Sequence, residues 1–317
     1  MLRLAILDDY QNVALGLADW GRLKGKAEIT TFRKPFDGPD AVVEALRSFD
    51  AVVLMRERTP FPATVIERLP NLKLIVTTGL RNLAIDVGAA IQRGIVVSGT
   101  QTSPEPVVEL IWAMILGISH NIAAEDRSMR AGGWQVGLGH TLSGKVLGVV
   151  GLGKLGRRIA AIGRAFGMDP VAWSENLTPE KAAEGGARYL PKEELFRTAD
   201  VVTLHVILSK RTRGLVGAAE FAQMKPSAYL VNTSRGPVVD EAALIEALQN
   251  RRIAGAAIDV YDVEPLPADH PLRKLDNTLL GPHIGYVTAE NYAGMYGQAV
   301  EDIEAYLAGA PLRLLTA

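Results

Sequence analysis

Short runs rich in Val, Ile and Leu alternate along the chain with segments whose apolar residues recur at helical spacing. Residues 2–7, 27–32, 51–55, 73–76 and 95–97 read as strands, and 39–48, 62–69 and 86–93 as helices between them. Continuous apolar strands separated by helices predict a parallel sheet buried on both faces. The run Gly99-Thr100-Gln101-Thr102-Ser103-Pro104-Glu105-Pro106 is polar and carries two prolines, so it reads as a joint. A long apolar-periodic stretch from Val107 to about Arg130 predicts one helix, ended by Ala131-Gly132-Gly133-Trp134. The alternation then restarts. Strands are expected at 146–150, 170–174, 201–206, 228–232, 254–259 and 278–280, and helices at 155–166, 218–224, 241–249 and 288–307. The expectation is two α/β units in tandem, with the last helix returning to the first.

Composition fits this reading. At 317 residues the prior is about two domains. Hydrophobic residues make up 48% and charged residues 22%, an ordinary globular balance. Lys+Arg 34 against Asp+Glu 35 leaves a net charge of −1, with no basic excess of the kind a nucleic-acid partner demands. Cysteine is absent, which excludes disulfides, thiolate metal sites and a cysteine nucleophile. No metal site is expected. No stretch reaches the ~18 apolar residues of a membrane span, and the N-terminus lacks a signal h-region, so a cytoplasmic protein without a membrane partner is expected.

One candidate motif follows the strand at 146–150: Gly151-Leu152-Gly153-Lys154-Leu155-Gly156 leads into a helix-prone run. GxGxxG between a strand and a helix is a dinucleotide fingerprint. Gly151 permits the tight turn, Gly153 a close approach to pyrophosphate, and Gly156 close helix packing, with the helix N-terminus stabilising the anion. The acid that would hold the ribose hydroxyls is expected near the end of the next strand, where Ser174 and Glu175 stand. Glu175 would repel a 2′-phosphate, which favours NAD over NADP. Taken alone, Glu175 is equally an ordinary loop acid.

Three segments end later strands: Asn232-Thr233-Ser234-Arg235-Gly236, Asp259-Val260-Tyr261-Asp262-Val263-Glu264-Pro265, and Pro282-His283-Ile284-Gly285. Ligands of open α/β sheets sit beyond the carboxyl ends of the strands, so an arginine, an acid and a histidine are expected to converge there. Singly, each is more often a turn, capping or surface residue. His283 is one of five histidines, with His120, His140, His205 and His270.

With these motifs in this order and spacing, the chain resembles the D-isomer-specific 2-hydroxyacid dehydrogenases. The resemblance extends over almost the whole chain. It implies two Rossmann-like domains: a flavodoxin-like substrate domain, 1–99 plus 286–317, split around an NAD-binding domain, 100–285. It also implies a homodimer. The expected activity is hydride transfer between a nicotinamide cofactor and a D-2-hydroxy acid or 2-keto acid. Arg235 would bind the substrate carboxylate with its guanidinium fork. His283 would be the acid–base. Glu264 would orient the ring and favour its imidazolium form. Lys154 and Leu155 would offer N–H groups to pyrophosphate, Asp259 would meet the carboxamide, and Val206, Thr233, Ser234 and Gly285 fall at other cofactor positions. Gly79, Leu80 and Arg81 form the loop whose N–H groups take a substrate carboxylate, and Arg81 stands where the family has glycine.

Arg56 resembles the arginine that reaches a substrate anion in phosphoglycerate-type members. With Arg81 it admits a dianionic or phosphorylated substrate. The alternative for Arg56 and Arg58 is two solvated strand-end arginines. The homodimer is expected to use the helix from Val107 to Met129, with Trp112 and Met114 as apolar surface. A second functional class is an NAD-sensing corepressor-like protein of the same fold. A formate-type enzyme is disfavoured, because the signature Pro-x-x-Gln-Pro-Ala-Pro is missing.

Overall fold

The computed structural model describes residues 1–316, which form two compact units. Unit 1 comprises residues 1–103 and 286–316, and unit 2 comprises 104–285. The chain therefore crosses between them at Ser103–Pro104, inside the polar joint, and at Gly285–Tyr286.

Unit 1 carries five parallel strands: β1 (Leu2–Ile6), β2 (Ala27–Thr31), β3 (Ala51–Leu54), β4 (Leu74–Thr77) and β5 (Val96–Gly99). Their order is β2-β1-β3-β4-β5, the flavodoxin-like arrangement. Ile6 sits opposite Val53, and Val53 opposite Val76. β3 and β4 are buried throughout, whereas the edge strand β2 alternates exposed and half-buried residues. That difference follows from helices covering both faces only near the sheet centre. Strand residues divide by parity. Leu4, Ile6 and Val53 pack with Met295, Tyr296, Ala299 and Ile303 of the Ala289–Leu307 helix. Ala5, Val52 and Leu54 pack the other way, against Val42, Leu46 and Ile66. The last helix therefore does return to the first sheet.

Buried Asn291, on that helix, accepts the Ser103 N–H at 3.0 Å and donates to the Tyr286 carbonyl at 2.8 Å. One side chain thus ties down the unit-1 ends of both crossings.

Unit 2 has seven parallel strands: β6 (Val146–Val150), β7 (Asp169–Trp173), β8 (Arg188–Tyr189), β9 (Val201–Leu204), β10 (Tyr229–Asn232), β11 (Gly255–Ile258) and β12 (Thr278–Leu280). The order β12-β11-β10-β9-β6-β7-β8 places the reversal at β9/β6, the switch point of a dinucleotide fold. β8 and the helices Pro179–Glu184 and Lys192–Thr198 do not show in the hydrophobic pattern. They are too short to display a period.

The long helix expected from 107 to 130 is corrected by the structure. It is two helices, Glu105–Ser119 and Ile122–Arg130, bent by 66°. Asn121 takes a left-handed φ of 55° at the break, which a regular helix cannot accommodate. Trp112 and Met114 are buried in the unit's own core, and Trp112 stacks on Phe166 at 4.9 Å. They offer no surface to a second subunit. The exposed apolar residues lie beyond the bend: Ile122, Met129, Trp134, Val136 and Leu138. The segment bearing the last three is held back along the second helix. Glu125 accepts the Val136 and Gly137 N–H groups, and Asn121 donates to the Leu138 carbonyl. Among the described residues no single helix is long and apolar enough to cross a membrane.

Candidate active site

The turn after β6 is shaped by its glycines in three different ways. Gly151 has φ 99°, and a Cβ there would lie 2.8 Å from the His205 backbone. A Cβ on Gly156 would collide with the Gly151 carbonyl, so this glycine lets the helix close onto the turn. Gly153 is exposed, and a Cβ there would meet no protein atom within 4 Å. Nothing within the protein requires glycine at that point, and the bare backbone leaves open space beside it. The helix Lys154–Ala165 begins there with no side-chain cap and no acid in its first turn. Its N–H groups and positive dipole end are therefore not offset by the chain, which fits a pyrophosphate.

Around this turn, Ser174 is half-buried just past β7 and Glu175 is exposed beside it. Val206 is half-buried past β9. His205, which precedes it, donates its backbone N–H to Val150 at 2.7 Å, and its Nε2 lies 3.0 Å from the Thr203 hydroxyl. Burial pushes the His205 pKa down to about 4, so it stays neutral and braces the turn.

Past β10 the chain is arranged by Asn232, which is buried. Its Oδ1 accepts from the Ser234 N–H (3.1 Å) and hydroxyl (2.9 Å), and its Nδ2 donates to the Arg235 carbonyl at 3.0 Å. Thr233, Ser234 and Arg235 are left half-buried at the strand end. Arg235 Nη1 donates to the Ser234 carbonyl at 2.7 Å.

Asp259 follows β11 and is almost wholly buried. It accepts the N–H groups of Ile284 (2.9 Å) and Gly285 (3.0 Å), one on each carboxylate oxygen. Burial raises its pKa, against those two hydrogen bonds and the charge of His283. Asp259 thus clamps the loop carrying His283, whose φ of 55° is left-handed. The His283 Nδ1 lies 2.5 Å from Glu264 Oε2, while Glu264 Oε1 accepts the Tyr261 N–H at 2.9 Å. Burial works to raise the Glu264 pKa. The bond and charge of His283, the Tyr261 N–H and the Arg235 charge outweigh it and hold the carboxyl below its ordinary value. The Glu264 carboxylate therefore engages the Nδ1 side of the imidazole and fixes the orientation of the ring. Tyr261, buried, sets its hydroxyl within reach of the Ile258 and Gly281 carbonyls and supports both strand ends.

In unit 1, Gly79 has φ 130° and lies against the Arg56 guanidinium, leaving no room for a Cβ. Arg56, at φ 54°, donates its backbone N–H to Thr78 Oγ1 (2.9 Å) and its Nη1 to the Thr78 carbonyl (3.1 Å). Asn82 pins this loop by donating to the Arg56 carbonyl at 2.6 Å and to Thr77 Oγ1 at 2.9 Å. Leu80 and Arg81 are exposed, and Arg81 keeps a negative φ, so the loop accepts it in place of glycine without backbone strain. Arg56 and Arg58 are not solvated strand-end arginines, because both are half-buried. Arg58 donates to the Asp8 carbonyl (2.8 Å) and the Tyr292 hydroxyl (3.2 Å).

Unit 2 therefore brings Glu264 and His283 into direct contact, puts Arg235 in their field, and sets the glycine turn at the switch point. Sequence reasoning missed the residues that hold these groups: Asn232, Tyr261, Asn82 and the two-pronged role of Asp259. Asn232 opens the run that carries Arg235, and Asn82 directly follows the Gly79–Arg81 loop. An amide beside a functional turn, with the N–H and C=O groups of that turn to satisfy, was the available signal.

Residues 112–285 match the family model described as D-isomer specific 2-hydroxyacid dehydrogenase, NAD binding domain. A glyoxylate reductase of Thermococcus litoralis is 37% identical over 294 residues, covering 89% of this chain and 88% of that protein. A D-3-phosphoglycerate dehydrogenase of Archaeoglobus fulgidus is 36% identical over 281 residues, or 86% of this chain. The aligned region spans only 52% of that relative's own length. Among solved structures, a phosphoglycerate oxidoreductase from Vibrio cholerae superimposes with a TM-score of 0.93 at 40% identity, covering 98% of this chain and 100% of that one.

Proposed function

The chain belongs to the D-isomer-specific 2-hydroxyacid dehydrogenase family, and from that premise we propose how its residues divide the work of hydride transfer between a nicotinamide dinucleotide and a 2-keto or D-2-hydroxy acid. The observation that carries this reading is the 2.5 Å contact between His283 and Glu264. Unit 2 is assigned the cofactor. Gly151, Gly153, Gly156 and the N–H groups of Lys154 and Leu155 hold its pyrophosphate. Val206, Thr233, Ser234 and Gly285 line its nicotinamide end, where Asp259, having fixed the loop, also faces the carboxamide. The cofactor, when bound, supplies or accepts the hydride at its nicotinamide ring.

Arg235 grips the substrate carboxylate and polarises the adjoining carbonyl with its planar fork. His283 gives a proton from Nε2 to the oxygen that becomes the hydroxyl, and takes it back in the oxidative direction. Glu264 stays ionised and holds the ring in register for both directions. Unit 1 is assigned the substrate. The N–H groups of Gly79, Leu80 and Arg81 serve a carboxylate, and Arg56 meets a second anionic group on the substrate. A keto acid with two anionic groups is therefore favoured over glyoxylate.

NAD is favoured over NADP because Glu175 stands beside Ser174 where a 2′-phosphate would have to lie. The enzyme works in the cytoplasm as a homodimer. The residues that meet the second copy are Ile122, Met129, Trp134, Val136 and Leu138, rather than the buried Trp112 and Met114.

The test is reduction of glyoxylate, hydroxypyruvate, 3-phosphohydroxypyruvate and oxaloacetate with NADH and NADPH. His283→Ala should lower kcat by ~10²–10⁴-fold with NADH binding, measured by fluorescence titration, unchanged. Parental turnover in that variant would remove His283 from the chemistry. A parent that prefers NADPH would overturn the role given to Glu175.

A further inference from the structure

Two arginines in unit 1 approach one tyrosine ring. Arg58 Cζ lies 5.5 Å and Arg56 Cζ 5.8 Å from the centroid of Tyr286. Their surroundings differ. Arg58 is committed to the fold: its two terminal nitrogens bond the Asp8 carbonyl and Tyr292 hydroxyl, and its guanidinium lies 4.5 Å over Tyr10. The Asp8 carboxylate beneath is itself occupied by the Thr59 and Tyr10 hydroxyls. Arg56 has one guanidinium bond, to the Thr78 carbonyl, and pairs with no carboxylate among the described residues. A half-buried cation without a carboxylate is poised for an anion, provided that it is held in place.

The ring beside it is itself closely packed. Tyr286 is 7% exposed, its carbonyl is fixed by Asn291, and its ring stacks on Tyr292 at 6.3 Å. An aromatic face attracts a guanidinium and restricts its rotamers. Arg56 Nη1 lies where a Cβ on Gly79 would stand and bonds the Thr78 carbonyl, so the guanidinium rests against the Thr78–Gly79 backbone as well as near the Tyr286 ring. Arg58 contributes in two ways. It packs against Tyr286, and its charge adds to the positive potential at Arg56.

We propose that Arg58 and Tyr286 are positioning residues for Arg56, and that through it they set a preference for keto acids carrying a second negative charge. This rests on the reading above that Arg56 meets the substrate's second anionic group. The experiment compares kcat/KM for 3-phosphohydroxypyruvate and hydroxypyruvate, which differ by the phosphate alone, at saturating NADH. Tyr286→Leu and Arg58→Met should each lower the phosphorylated-to-plain ratio about five- to thirtyfold, the range set by a desolvated cation–π contact. The loss should fall on KM rather than kcat. Tyr286→Phe keeps the ring face but loses the hydroxyl's contact with Arg58, so it should lower the ratio by less than Tyr286→Leu. Arg58→Lys keeps the charge without the fork and should lower the ratio by less than Arg58→Met.

Arg56→Gln is the control that separates the two claims. If it abolishes the preference while folded Tyr286→Leu and Arg58→Met retain it, the positioning role is wrong and the role of Arg56 stands. If Arg56→Gln leaves the ratio unchanged, or the parent favours hydroxypyruvate, the reading of Arg56 itself fails. Should Tyr286→Leu not fold, as judged by circular dichroism, the Arg58→Met ratio decides: a parental value overturns the proposal.

Discussion

At the scale of single residues, the groups to which the proposal assigns the chemistry and the groups that hold them obey different constraints. Arg235, Glu264 and His283 are recognisable as residue types at strand ends. Their geometry depends on partners such as Asp259, whose two oxygens take the N–H groups of Ile284 and Gly285. His205 is a clear case of a titratable group used for structure. Burial lowers its pKa from 6.5 to about 4, so between those values the unfolded chain binds a proton that the folded one does not. Stability contributed by the neutral ring is full above pH 6.5 and is lost as pH falls toward 4. The whole effect is about 3 kcal/mol. His205→Gln should flatten the acid limb of a Tm-versus-pH curve over that interval, and an unchanged limb would show that His205 does not drive it.

Among elements, the turn from β6 into the Lys154–Ala165 helix gives the sharpest contrast. Gly153 has φ −82° and open space where a Cβ would stand, whereas Gly156 has the Gly151 carbonyl in that position. Gly156→Ala should therefore cost about 1–3 kcal/mol of stability, as overpacking does. Gly153→Ala should leave the melting temperature near parental and instead weaken NADH binding about tenfold or more, at about 1.4 kcal/mol per factor of ten. Calorimetric melts and NADH titrations of the two variants check this. Equal affinity for NADH in Gly153→Ala would mean that nothing approaches the backbone there. The bend at Asn121 belongs to the same scale. Apolar periodicity runs on through residues 107–130, but a single left-handed residue divides them into a buried helix and an exposed one.

For the whole molecule, the proposed dimer is a matter of surface. The apolar residues Ile122, Met129, Trp134, Val136 and Leu138 are between 53% and 90% exposed, on a segment already ordered by Glu125 and Asn121. Ordered apolar surface of this kind is what an obligate interface covers. Sedimentation should give about twice 34.1 kDa for the parent, and Trp134→Glu with Leu138→Glu should shift it toward the monomer. A parent sedimenting as a monomer at micromolar concentration would overturn the dimer.

The sequence by itself determined most strands, the class of both sheets, the return of the last helix and the identity of the fingerprint glycines. Those features are written in local patterns: apolar runs for strands buried on both faces, glycine where a turn needs it, and an acid, an arginine and a histidine at strand ends. Only the tertiary structure decided which faces were buried and what each polar side chain bonded. Periodicity reports that a helix has an apolar stripe, not whether a sheet or a second chain covers it, so Trp112 and Met114 were open to either reading. In the same way, nothing local distinguishes Arg56 from Arg58. Asp8, Tyr10, Tyr286 and Tyr292 come from opposite ends of the sequence, and only their convergence commits Arg58 to the fold and leaves Arg56 without a carboxylate among the described residues.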